Sequence, residues 1–324
     1  MKKGVRKSLI YSLLAILVFS LSFSKSSAQW VWEAGLNIGP GNFLGDLGGN
    51  QGKGKTFLKD NNIELTKMFF GVFVGASPNE FVNFRLGFNY GNLAGADSVI
   101  DGKGGWEEAR RTRNLHFKTN IKEIQLVAEL YPTVFLEEDP TDIYHKWRPY
   151  AVIGLGAFKF NPQGEYIAPN GTRTWVALKP LRTEGQGMPN HPNVEEYSLT
   201  QLNIPYGIGL KYFISEKFNV SLEIVNRKTF TDYMDDVSGT FIDPADFYNY
   251  FGASSLTAQI ADQMANKTTF ANGGTARPSF STGDKRGTIT NNDAYYATTL
   301  KLGMRFGGGE NYNSNQTRCP ILRF

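Results

Sequence analysis

Between Val82 and Tyr90 the chain alternates without a break. Val82, Phe84, Leu86, Phe88 and Tyr90 are apolar, and Asn83, Arg85, Gly87 and Asn89 stand between them. A period of two is the signature of a β-strand, whose successive side chains point to opposite faces. Seven further stretches read the same way, at about 30–38, 66–75, 121–131, 149–160, 202–214, 217–227 and 294–306. Their apolar faces are Trp30/Trp32/Ala34/Leu36/Ile38, Met68/Phe70/Val72/Val74, Ile124/Leu126/Ala128/Leu130 and Ala151/Ile153/Leu155/Ala157. Leu202/Ile204/Tyr206/Ile208/Leu210/Tyr212, Phe218/Val220/Leu222/Ile224 and Thr298/Leu300/Leu302/Met304/Phe306 complete the set. The opposite faces carry Glu33, Lys67, Arg85, Glu123, Gln125, Glu129, Lys211, Glu223, Arg227, Lys301 and Arg305. Each stretch is about long enough to cross a bilayer when tilted.

The connections alternate in length. Ser77–Glu80, a segment around Glu138-Asp139-Pro140, and Ser215-Glu216 are short links, and the gaps between them are long. Short turns at one rim and long loops at the other predict an all-β transmembrane antiparallel up-and-down barrel, residues 29–306, of eight strands. Its long loops are extracellular and its short turns periplasmic. A soluble secreted β-sandwich is the competing class, but it does not require this alternation. The lumen of an eight-stranded barrel is only as wide as its side chains. Inward charges of both signs should therefore pair across it, because an unpaired buried charge is costly. Arg85, Glu123, Glu129, Glu223 and Arg227 are the expected structural ion-pair plug. The recurrent Gly-x-Gly pairs then read as narrow-wall architecture rather than phosphate loops.

Residues 1–28 have the form of a signal peptide. A basic start (Lys2, Lys3, Arg6, Lys7) precedes an apolar run from Leu9 to Phe23, and Ser26-Ser27-Ala28 offers small residues for cleavage. The whole chain has 34 basic and 30 acidic residues; the leader holds five of the basic ones, so the rest has 29 against 30. The basic balance belongs to the leader, which removes the electrostatic case for nucleic-acid binding. Export plus a barrel pattern places the chain in the Gram-negative outer membrane, in contact with its lipid. Cys319 is the single cysteine, so no intramolecular disulfide can form.

The residues of enzyme chemistry do not converge. His116, His145 and His191 are far apart, and no HExxH, nucleophile elbow, Walker loop or paired-cysteine spacing occurs. No catalytic residue, cofactor or metal ligand is assigned. The acidic run after the seventh strand could in principle attract calcium, but it lacks the spaced EF-hand pattern and its glycine. Thr231, Asp232, Tyr233, Asp235 and Asp236 are read instead as an ordered loop whose members hydrogen-bond one another at the barrel mouth. Residues 254–292, rich in Gln, Asn, Thr, Gly and Ser, read as a flexible insertion with a short helix over Ala258 to Lys267. Residues 307–324 form a periplasmic tail. Its end, Ile321-Leu322-Arg323-Phe324, combines apolar side chains with a guanidinium, residue types suited to a partner contact.

Several blocks resemble the PorG-like (DUF6089) outer-membrane barrels, a component of the type IX secretion system. They are Gly41–Leu47, Arg85–Asp97, Arg113–Phe117, Pro149–Gly156 and Leu178–Gly187, with Tyr197–Lys211 and Lys228–Ser238 the most specific. The resemblance spans most of 30–306. It implies a non-enzymatic subunit that associates with a periplasmic ring of PorK- and PorN-like proteins, in a machine for protein export and gliding. A stand-alone OmpA/OmpW-like barrel or a narrow pore is the alternative function.

Overall fold

The computed structural model describes residues 30–47, 63–100, 107–268 and 280–307. The leader, the centre of the 254–292 segment and the tail with Ile321, Leu322, Arg323 and Phe324 lie outside them. Ten strands form: β1 Val31–Leu44, β2 Lys67–Ser77, β3 Val82–Ala96, β4 His116–Leu130, β5 Trp147–Lys159, β6 Gln163–Ile167, β7 Arg173–Ala177, β8 Thr200–Phe213, β9 Phe218–Thr229 and β10 Ala294–Phe306. Eight of them make the wall, each antiparallel to the next, and β10 returns to pair with β1 from Trp32↔Phe306 to Leu44↔Ala294. The ring is closed, so no wall strand has a free edge. β6 and β7 are a hairpin outside the wall, joined to β4 at Lys118↔Gln163.

The alternating pattern decides which face each residue takes. Leu36, Val72, Leu86, Leu126, Leu155, Ile208, Leu222 and Leu302 all project outward and are exposed, Leu155 by 70%. A continuous apolar band around a closed wall is stable against lipid, and the backbone groups behind it are paired within the ring. The fold is therefore a transmembrane up-and-down barrel.

Toward the long-loop end the strands run several residues past the predicted limits, and the pattern changes phase. There the inward side chains are apolar and buried (Phe43, Phe69, Leu93, Phe117, Ile121, Phe158), while Asn92, Asn120 and Lys122 face outward. The same ladder has left the bilayer and entered a water-facing cap, so the polar side turns out and the greasy side turns in. Lys67, read as inward, is exposed here at the start of β2.

Two loop readings need correction. The β4–β5 connection is not a short turn but residues 131–146, opening with a 3-10 turn at Pro132–Leu136. It folds back under the lumen, where Tyr131 and Val134 pack with Val127, Tyr150, Val152 and Val225. Glu137 ties it to Arg148 at 2.7 Å and to Lys146 at 3.2 Å.

The 254–292 segment is likewise not simply flexible. Among the described residues three α-helices lie in the cap: α1 Glu107–Arg113, α2 Pro244–Phe251 and α3 Leu256–Ala265. Asp243 caps α2 and Ser255 caps α3, each through a side-chain oxygen on the backbone two residues on. Ala258, Ala261, Met264 and Ala265 of α3 are buried in the same hydrophobic core as Phe43, Phe117, Tyr166 and Tyr295. Gln263 completes the attachment by accepting from Ile167 N at 2.8 Å and donating to Ile167 O at 3.0 Å. The amide-rich composition that suggested mobility here supplies structural hydrogen bonds.

Candidate functional site: a filled lumen beneath an ordered cap

The strand register stacks the inward charges into two layers. In the lower layer Glu129, fully buried on β4, accepts from Lys301 at 2.8 Å and Arg85 at 2.9 Å through one oxygen. Its other oxygen accepts from Tyr131 at 2.6 Å, Asn83 at 2.9 Å and Lys211 at 3.3 Å. Arg85 also holds Glu223 at 2.9 Å, Lys301 reaches Glu223 at 3.1 Å, and Lys211 reaches Glu33 at 3.0 Å. Tyr150 donates to Glu223 at 3.0 Å. Arg85, Lys211 and Lys301 thus face Glu33, Glu129 and Glu223, a balanced set. In the upper layer Glu123 accepts from Asn203 at 2.8 Å, Asn89 at 2.9 Å, Tyr295 at 3.0 Å and Arg227 at 3.2 Å.

Of the five plug residues read from the sequence, Arg85, Glu129 and Glu223 meet, and Glu123 meets Arg227. The two groups belong to different layers. Glu33, Lys211 and Lys301 were recognisable as inward-facing but not assigned to the plug. The phenols of Tyr131, Tyr150 and Tyr295 were missed altogether. Tyr150 and Tyr295 stand on the inward parity of their strands, which is the signal that could have found them. The wall makes room with glycine: a Cβ on Gly209 would sit 2.2 Å from the Tyr150 ring, and one on Gly303 2.2 Å from a Glu33 oxygen. Glu129, with five donors, has no free lone pair for acid–base work, whereas Glu33 keeps one buried oxygen without a partner. What the arrangement does is join β1, β3, β4, β8, β9 and β10 across the interior.

The cap is organised by two buried arginines. Arg113 grips Asp97 with two nitrogens at 2.8 Å each and donates to the carbonyls of Arg286 and Asp46 at 2.5 and 2.7 Å. Arg286 pairs with Glu184 at 2.8 Å and donates to the carbonyls of Asp236 and Ala265. Glu184 in turn accepts the backbone N–H groups of Ser238 and Gly239, both at 2.9 Å.

The predicted ordered loop lies in this network, but its members bond mainly to other loops rather than to one another. Thr231 Oγ accepts from Tyr233 N at 3.2 Å. Asp235 accepts from Leu47 N at 3.1 Å and Val237 N at 3.0 Å. Asp236 accepts from Tyr197 OH at 2.6 Å and from the Thr183 hydroxyl. Tyr233 stacks on Tyr197 with ring centroids 4.8 Å apart. Asp293 receives Met234 N at 2.8 Å.

Acids outnumber cations here. Burial pushes Asp232 up to about 7, with Asp46 and Glu184 adding to the effect, while Ser238 opposes it. Burial likewise holds Asp236 up at about 6 against the pull of Arg286, Thr183 and Tyr197. Asp235 and Asp293 are raised well above the carboxylate range, by burial first and by neighbouring aspartates second. Among the described residues no three His, Cys, Asp or Glu side chains are arranged to hold a metal ion. The three histidines sit at separate places: His116 near Glu165, His145 on Tyr212, and His191 on Asp246.

A family model described as Domain of unknown function (DUF6089) matches residues 11–249. The chain belongs to this family. The matched range of this DUF6089 chain ends before β10, so Lys301 and the closing pair with β1 lie beyond it. Among solved structures, it is similar to a major outer membrane protein of Thermus thermophilus at 11% identity. That match covers 85% of this chain and 99% of the other, with a TM-score of 0.38. Ail, the attachment invasion locus protein of Yersinia pestis, crystallised with the heparin analogue sucrose octasulfate, matches at 9% identity, 85% and 99% coverage and a TM-score of 0.33. The N-terminal β-barrel domain of Pseudomonas aeruginosa OprF matches at 9% identity, 86% and 97% coverage and a TM-score of 0.29. No curated protein matches the chain significantly.

Proposed function

We propose that this chain is a non-enzymatic outer-membrane subunit of Gram-negative bacteria, exported by a cleaved leader, whose barrel anchors a periplasmic assembly. The observation that carries this reading is the lumen. Its charged side chains are consumed in mutual contacts that tie six wall strands together, which suits a rigid anchor. Among the described residues, the inward polar atoms without a protein partner belong mostly to neutral side chains, including Asn37, Gln125, Asn219 and Ser221, beside one Glu33 oxygen. The outward apolar band supports membrane lipid as one partner. The family resemblance supports the PorK- and PorN-like ring of the type IX secretion machinery as the other.

At the periplasmic rim the 131–146 connection exposes Phe135 by 77% and Leu136 by 85%, and Phe135 packs on Phe81 with centroids 4.4 Å apart. This braced apolar pair and the tail end Ile321–Phe324 are the two contact surfaces we assign to the ring. Co-purification from mildly solubilised membranes tests the reading. Ring proteins should be recovered with the full chain, and recovery should fall with the Phe135→Ser/Leu136→Ser variant or with deletion of 310–324. A full-length barrel isolated alone under conditions that keep the ring intact would favour the stand-alone OmpA/OmpW-like function.

A further inference from the structure

The outer wall carries an unusual pair just above the apolar band. On β4 the outward sequence runs Leu126, Ile124, Lys122, and on β5 it runs Ile153, Leu155, Ala157, Lys159. The register sets Lys122 directly opposite Lys159. Residues directly opposed in an antiparallel pair have Cβ atoms about 5 Å apart, and like charges placed so repel. Both side chains are exposed, and neither makes an ion pair or hydrogen bond among the described residues. Lys118, two outward positions above Lys122, lies over the half-exposed Trp175 ring of β7, 3.9 Å from its centroid. This side of the rim is therefore cationic and aromatic-lined, and the carboxylate of Glu165, opposite Trp175, is held by Arg173 at 3.2 Å rather than by Lys122 or Lys159.

Position narrows the missing anion. Two residues along a strand span roughly 7 Å, so the ammonium groups sit about one headgroup layer above Ile124 and Ala157. An apolar groove of about 500 Å³ lies on the neighbouring stretch of wall, lined by Leu36, Ile38, Phe70, Val72, Phe88 and Tyr90. Tyr90 is the register partner of Lys122. A ligand that carries both phosphate and acyl chains matches both features.

We propose that Lys122 and Lys159, flanked by Lys118 and Trp175, bind the phosphate of a phosphorylated outer-leaflet glycolipid, which fixes one side of the barrel against the membrane. This rests on the outer-membrane reading above. One phosphate can accept from both ammonium groups, which turns a repulsive cross-strand pair into a bridged one.

Diphosphoryl lipid A in phosphatidylcholine vesicles is the probe, and lipid retained after detergent extraction is read by native mass spectrometry. The wild-type barrel should retain it, and the Lys122→Gln/Lys159→Gln variant should lose roughly tenfold or more of that retention. Lys228→Gln, a cation on β9 away from the pair, should retain it as wild type does. Equal retention of dephosphorylated lipid A, or unchanged retention by the double variant, would overturn the proposal. Displacement by equimolar inorganic phosphate would overturn it too, since that shows a free-anion site. Wild-type protein that never shows the heat-dependent gel shift of a barrel would instead count against the membrane reading itself.

Discussion

The lumen and the cap bury charge to similar depth and solve the cost in opposite ways. In the lower lumen three cations meet three carboxylates, so every charge has a counter-charge in the same layer. In the cap Asp46, Asp97, Glu184, Asp232, Asp235, Asp236 and Asp293 share two buried arginines, Arg113 and Arg286. The cap makes up the deficit with backbone N–H donors and by holding protons on its aspartates. Desolvation alone therefore does not decide a group's state. What decides it is whether the fold brings a counter-ion within reach.

The largest effect should come from removing the hub of the balanced region. Glu129→Ala leaves Arg85, Lys211 and Lys301 short of a carboxylate and should cost about 3–5 kcal/mol. It should show as a lower temperature for the barrel's heat-dependent gel shift. Planar-bilayer recordings make the companion check: wild-type protein should show no stable large conductance, whereas a large steady current would mean that the lumen contacts do not fill the bore.

Next comes the cap. Arg286→Met strips Glu184 of its ion pair and should cost about 3 kcal/mol locally. Limited proteolysis should then cut the long loops while the barrel's gel shift stays unchanged. Simultaneous loss of both would show that cap and barrel unfold as one unit.

The third prediction uses pH to separate the regions. Asp232 and Asp236 have folded values near 7 and 6, above the ordinary 3.8, so the folded cap binds protons that the unfolded cap releases. Stability from these groups is therefore present at acid pH and falls as pH rises from about 4 through 7. Amide exchange in residues 231–238 should be slower at pH 5.5 than at pH 8, and Asp232→Asn should flatten the difference. Exchange that slows with rising pH after correction for intrinsic rates would refute the sign. The smallest effect is Tyr131→Phe, which removes one donor from Glu129 and should cost roughly 1.5 kcal/mol in thermal stability.

What could be read beforehand follows from the range of each interaction. The outward sets from Trp32 to Phe306 were legible because lipid imposes a period of two on every strand. Arg85 was placed with Glu129 beforehand, but Lys301 was not, because it is 172 residues away and meets Glu129 only through the barrel's stagger. The upper strand ends were obscured where Phe43, Leu93 and Phe117 reverse the pattern. Helix α3 was visible as a short apolar repeat, but its burial depends on β6, which presents Ile167 to Gln263. The 131–146 connection was under-read because Glu138-Asp139-Pro140 signals a turn, while the preceding Tyr131 and Val134 act only after folding back beneath the wall.

Closure of the ring by β10 has a kinetic consequence. The strand that seals the barrel is the last of the described strands to be synthesised, and it brings Lys301, which bridges carboxylates on β4 and β9. Until it docks, Glu129 and Glu223 lack the Lys301 ammonium, holding only Arg85 and their other partners, and β1 has β2 alone as a neighbour. A fragment without β10 cannot complete the interior, so the wall commits late, in one cooperative step dominated by sequence-distant contacts. The feature that makes the finished wall hard to open also makes it slow to begin.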